Sequence, residues 1–259
     1  MAAAEDLDVI AALVANKDNR IFDYQHFTGD VHPISDGRRI LFFNEEYRPP
    51  FYGHVSLINL RKHLISPFTT GYEGTAIESL YPSNTDMLRA AAEEGALGAY
   101  VHPFSGTADP LDSHLGGAKT FPVDVALGTV VYHELMTQAN EAGLHVWHHA
   151  LNNGFHITAV GGEDSITNMH RRALIGQNRA FGYIGPKLTW EGWIDAIRKG
   201  RMFVTNGPLV EFDVNGQISG EEVRLPYPQA TTNPVWVLID DKPVRSAESA
   251  HYFRPNRTR

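Results

Sequence analysis

Ile40-Leu41-Phe42-Phe43-Asn44-Glu45-Glu46-Tyr47-Arg48-Pro49-Pro50-Phe51-Tyr52-Gly53-His54 is an apolar run that ends in two carboxylates. It turns through a Pro- and Gly-bearing loop and delivers a histidine to the next apolar run, Val55 to Leu60. Apolar runs without alternation read as strands buried on both faces. Carboxylates and an imidazole at the end of such a strand are costly unless something pairs with them. A metal ion is one such partner.

Working outward, the same texture recurs. Val9 to Val14, Leu97 to Val101, Val130 to Met136, Ile157 to Val160 and Ala180 to Ile184 read as further strands. Helix signals lie between them. Ser83 caps a helix that runs to Glu94 and stops at Gly95, and Thr137 to Ala142 begins another, which Val146 to Asn152 extends or follows. Thr189 caps a third, where Trp190, Trp193, Ile194 and Ile197 share one face and Gly200 ends it. Strands alternating with helices over this length predict an α/β fold, either a βα barrel or an open sheet. After Gly200 the runs shorten (Met202 to Thr205, Val210 to Val214, Val235 to Ile239), and Leu225 to Pro234 reads as a loop. The expected division is a βα body over 1–207 and a small β-rich C-terminal appendage over 208–259.

Composition narrows the function classes. The 259 residues carry 22 Lys and Arg against 30 Asp and Glu, a net charge of −8, which argues against a nucleic-acid binder. There is no cysteine, so thiolate metal sites and disulfides are excluded. No apolar run reaches the roughly 18 residues of a membrane span. Met1 to Asp8 has no basic region and carries three acids, so a soluble chain without a signal peptide is expected, in an unknown compartment.

Four residues of metal-ligand type fall at predicted strand ends: Glu46, His54, His102 and Asp164. Taken singly, each has a plainer reading. His102-Pro103 can close a loop, Gly53-His54 can be a turn, Glu46 beside Glu45 can be a solvated pair, and Asp164 can cap a helix. Together, on the rim where βα barrels hold their active sites, they predict a divalent metal centre with a coordination position left for water.

Other constellations are weaker. His133-Glu134-Leu135-Met136-Thr137 starts like a zincin motif but lacks the second histidine. His145, His148 and His149 put two imidazoles on one helical face at i and i+4. His114 lies in a Gly-rich segment and is expected to face solvent or substrate; His32 is expected to be a turn residue. No nucleophile elbow or phosphate loop is present.

Read together, Glu46-Tyr47 through Gly53-His54, Tyr100-Val101-His102-Pro103-Phe104, Gly161-Gly162-Glu163-Asp164 and Gly200-Arg201-Met202-Phe203-Val204-Thr205-Asn206-Gly207-Pro208 resemble the CehA/McbA-type metallohydrolases, a PHP-like amidohydrolase group. The resemblance implies a distorted βα barrel holding one or more divalent ions, zinc, manganese or iron, with Glu46, His54, His102 and Asp164 as ligands. The activity it implies is hydrolysis of an ester, carbamate, amide or phosphoester bond of a small molecule by a metal-activated water, with Tyr47 and Arg48 as substrate contacts and Asn206 behind the ligands or in a structural turn. The His-x-His pair that opens the family is absent, as is its second-strand Asp-His, where this chain reads Val14-Ala15-Asn16-Lys17-Asp18. The expectation is therefore an incomplete barrel, a fragment or shortened member, whose open sheet edge favours a homo-oligomer. The rival expectation is a non-catalytic metal- or ligand-binding barrel.

Overall fold

The structure is a computed structural model. It describes residues 2–17, 20–64, 74–76, 78–104, 106–135, 141–165 and 175–207, and beyond these 213–214, 217–218, 230–234, 236, 238–239, 242–243 and 245–253. The chain opens with β1 (Val9–Lys17), turns back through the short β2 (Arg20–Ile21), and returns to β3 (Ile40–Tyr47) and β4 (Val55–Ile58). Then come α1 (Asn84–Glu93), β5 (Leu97–Tyr100), α2 (Phe121–Ala126), β6 (Tyr132–Leu135), α3 (Glu141–Asn152) and β7 (Thr158–Gly161). β8 (Arg179–Gly182), α4 (Trp190–Arg198) and β9 (Met202–Thr205) follow. Five short strands come next: β10 (Asp213–Val214), β11 (Gln217–Ile218), β12 (Ala230–Thr232), β13 (Leu238–Ile239) and β14 (Lys242–Pro243). The last element is α5 (Ala247–Tyr252).

The mixed α/β character expected from the sequence holds, but strand direction departs from a βα barrel. β1 and β3 are parallel, from Val9 beside Ile40 to Ala15 beside Glu46. β4 is antiparallel to both β3 and β5. A seven-residue connection, Arg48 to His54, is too short for the crossover of a dozen or more residues that parallel strands require. The strand series passes from β5 to β6 through one parallel bridge, Gly98 to Val130, and β6 pairs in parallel with β7. A separate sheet has the order β12-β9-β8. Among the described residues these sheets do not close into a barrel.

Each face of the strand series has its own core. Ile40 and Phe42 of β3, with Leu97, Ala99, Tyr132, Val160 and Met202, pack against Trp190, Ile194 and Ile197 of α4. Trp190 lies flat on Phe42, with ring centres 4.3 Å apart, and its indole N–H donates to Asn59 Oδ1 at 2.8 Å. On the opposite face, Tyr47, Val55, Leu57 and Tyr100 pack beneath Leu88 of α1, Phe121 of α2, and Val146 and Trp147 of α3. The helix ends follow the sequence signals. Ser83 and Asp86 form a reciprocal capping box on α1, and Thr189 accepts from Gly192 N to start α4.

Leu225 to Pro234 is not wholly a loop. Ala230–Thr232 pairs with β9, as the β-branched Thr231 and Thr232 favour, while 225–229 lie outside the described residues. Of the helix expected from Thr137, residues 137–140 also lie outside them, as do 210–212 of Val210 to Val214 and 235 and 237 of Val235 to Ile239. Asn233, just after β12, joins two sheets. Its Oδ1 accepts Ala159 N at 2.7 Å, and its Nδ2 donates to Met202 O at 2.8 Å and Ala159 O at 3.3 Å. The side-chain amide thus stands in for a ladder residue between β7 and β9. Asn233→Ala leaves these backbone groups unpaired in the interior and is expected to cost about 2–3 kcal/mol in urea denaturation. A loss below about 0.5 kcal/mol would show that water replaces the amide freely.

Candidate metal centre

The strand directions explain why distant residues meet. Glu46 lies at the C-terminal end of β3, and His54 just precedes antiparallel β4, so both lie on one edge. His102 follows β5, Glu134 sits near the end of β6, and Asp164 follows β7, all on that same edge. Neighbouring strands thus each contribute one ionisable side chain.

Three donor atoms converge. Glu46 Oε1 lies 3.0 Å from His54 Nδ1 and 3.5 Å from His102 Nε2, and the two ring nitrogens are 3.3 Å apart. A triangle with these sides has its corners about 1.9 Å from its centre, so an ion at the usual ~2.0–2.2 Å from each donor sits just off their plane. Glu46 Oε1 is buried between the two imidazoles. Two imidazoles and one carboxylate suit zinc and equally iron(II), and they leave coordination positions open. Glu46, His54 and His102 could therefore hold a metal ion, and among the described residues they are the one such group of three or more.

The local electrostatics fit a cation. Burial alone would raise the Glu46 pKa, but the two imidazoles and Arg48, whose Nε lies 3.4 Å from Glu46 Oε1, outweigh it and hold the carboxyl at about 2. His102 moves the other way. Burial disfavours its charged form, yet Glu46, Glu134 and Asp164 raise its pKa above the ordinary imidazole value. In the metal-free protein at pH 6.5, His102 is thus more than half protonated, and a metal must displace that proton. Calorimetric zinc titrations at pH 6.5 are expected to give enthalpies that depend on the buffer's heat of ionisation, with proton release shrinking as pH rises. Buffer-independent enthalpies at pH 6.5 would contradict this.

The backbone at this edge is unusual. His102 and Asp164 have φ of 36° and 48°, left-handed values that non-glycine residues seldom adopt and that often mark functional sites. His102 N donates to Glu134 Oε2 at 2.7 Å, which fixes the strand exit that carries the imidazole. The Glu134 carboxyl in turn fills the space beside Gly162, where a Cβ would fall 1.8 Å from Glu134 Oε1. On the other flank, Gly53 has φ 90°, and a Cβ there would meet Gly117 O at 1.7 Å, so the turn before His54 rests directly on the 106–120 segment.

No family model, curated protein or solved structure matches this chain.

The structure groups three of the four expected ligands. Asp164 lies outside the group but acts on His102 through its charge. Tyr47 is displaced from its expected role as a substrate contact. Strand alternation turns it to the other face, where it is fully buried beneath the helices. Arg48 stays beside Glu46, about one-third exposed. Glu134 is the neighbour that sequence reasoning missed, and its position at the end of a buried strand on the shared edge was the available signal. His114 is exposed on the 106–120 segment, and His32 holds a turn by accepting Ile34 N at its Nδ1.

His133, next to Glu134, points the opposite way, between Phe104 and Phe121, and is fully buried. Burial drives its pKa down to about 4, with the Gly143 backbone partly opposing. Because this lies below the unfolded value near 6.5, the unfolded chain binds more protons between pH 6.5 and 4, and stability falls as pH drops through that window. Between pH 7 and 4.5 the wild type is expected to lose about 2–3 kcal/mol more than His133→Leu in urea denaturation. Equal losses would show that His133 does not set the acid limit.

Proposed function

We propose that this protein is a metal-dependent hydrolase acting on an ester, carbamate, amide or phosphoester bond of a small molecule, within the CehA/McbA-type, PHP-like group that its motifs resemble. The reading is carried by the meeting of Glu46 Oε1, His54 Nδ1 and His102 Nε2 at distances that suit one divalent ion. Such an ion, when bound, supplies Lewis acidity and lowers the pKa of a water molecule. The surrounding residues do the rest. Glu46 keeps its negative charge through the physiological range. Glu134 holds the His102 backbone. Arg48 supplies a partly exposed guanidinium beside the carboxylate, placed to attract an anionic or strongly polarised substrate oxygen.

The test compares metal-loaded and chelator-stripped protein on p-nitrophenyl acetate and bis-p-nitrophenyl phosphate. Hydrolysis above buffer that needs metal and disappears in His102→Ala supports the proposal. Stoichiometric metal with no rate on any ester, amide or phosphoester leaves the rival reading, a barrel-derived protein that holds a metal or ligand without turning it over.

A further inference from the structure

α3 carries a second pair of imidazoles that the proposed hydrolytic site does not use. His145 and His149 are one helical turn apart, and their Nε2 atoms face each other at 3.1 Å. An ion ~2.0–2.1 Å from both would see a nitrogen–metal–nitrogen angle of about 100°, between tetrahedral and octahedral values. The rings are not loosely held. Tyr252 of α5 stacks on His149, with ring centres 4.0 Å apart and planes 8° from parallel, and meets the His145 ring edge-on at 5.2 Å. Its hydroxyl donates to Asp109 Oδ1 at 2.8 Å, which anchors the stack to the segment before the Pro110–Ser113 turn of helix. Burial and the neighbouring His145 lower the His149 pKa, against the opposing charges of Asp109 and Glu248. Through Val146 and Trp147, α3 packs on the face of the strands turned away from Glu46.

We propose that His145 and His149 form a second metal site: a two-imidazole chelate on α3, completed by water, for a borderline divalent ion such as copper(II) or zinc. Imidazole nitrogen is the donor these ions prefer among the side chains present, and copper(II) binds nitrogen sites most tightly of the first-row divalent series. The stack with Tyr252 fixes the plane of one ligand before the ion arrives, so less side-chain freedom is lost on binding. Exposed His145, edge-on to Tyr252, supplies the second donor. The site stands apart from the Glu46–His54–His102 group, and neither depends on the other.

The test uses copper(II) alone on the full-length chain carrying Glu46→Ala and His102→Ala, so that the first group is disabled. One tightly bound copper per chain is expected, with an electron paramagnetic resonance spectrum showing two nitrogen donors. Adding His145→Gln in the same background is expected to weaken binding at least ~10-fold and to leave one nitrogen donor. His145 is exposed, so this variant keeps the fold, as circular dichroism would verify; His149→Gln serves as the second variant. Copper affinity and nitrogen count unchanged by His145→Gln would overturn the assignment, and so would absence of a bound copper in the background protein.

Discussion

Replacing His102 or Glu46 with alanine is expected to lower zinc or manganese affinity by more than ~100-fold, read by dialysis followed by metal analysis. Loss of a supporting contact behind a ligand already costs about 10–100-fold, and removing a ligand outright costs more. The two variants should differ in their metal-free behaviour. Without Glu46, His102 loses the strongest of the influences that raise its pKa, and Arg48 loses the carboxylate 3.4 Å from its Nε. Without His102, Glu46 keeps His54 and Arg48 and stays ionised at neutral pH. Both variants are expected to keep the fold, because the site lies at an edge and neither side chain belongs to either core. Wild-type metal content in both would remove the basis for the proposed activity.

The largest stability effect is expected away from the site, at Asp124 on α2. This fully buried carboxylate accepts hydrogen bonds from Thr85 Oγ1 of α1, from the Tyr100 hydroxyl of β5 at 2.7 Å and from Thr120 Oγ1 at 2.9 Å. It ties two helices and a strand through one side chain. Asp124→Ala leaves several hydroxyls short of an acceptor in the interior, and each unsatisfied group costs about 1–3 kcal/mol. Tyr100 and Thr120 still have each other at 2.6 Å, so the sum is expected near 3–5 kcal/mol rather than the maximum. Asp124→Asn should recover part of it. A loss under about 1 kcal/mol for Asp124→Ala would mean that water enters and satisfies the hydroxyls.

Much of this architecture is legible in the residues, for identifiable reasons. α1 and α4 announce themselves through Ser83, Thr189 and the apolar spacing of Trp190, Ile194 and Ile197, because capping and amphipathic packing are local effects. The edge position of Glu46, His54 and His102 is legible for the same reason, since charge at the end of a buried run stands out. What lies hidden depends on pairing between distant segments. The antiparallel direction of β4 was inferable only from the short Arg48–His54 connection. The opposite facing of His133 and Glu134 depends on which face of β6 meets the helices, so a neighbouring pair that fails as a zincin motif conceals one core residue and one site residue. Asp124 carries no sequence signal, because its importance comes entirely from three hydroxyls brought to it by other elements.

The most direct test is anomalous X-ray scattering at the zinc edge from crystals soaked in zinc. A strong peak is expected within about 2.0–2.2 Å of Glu46 Oε1, His54 Nδ1 and His102 Nε2, absent from His102→Ala crystals, whatever the zinc occupancy at His145 and His149. Full zinc occupancy elsewhere, with these three side chains bare, would contradict it.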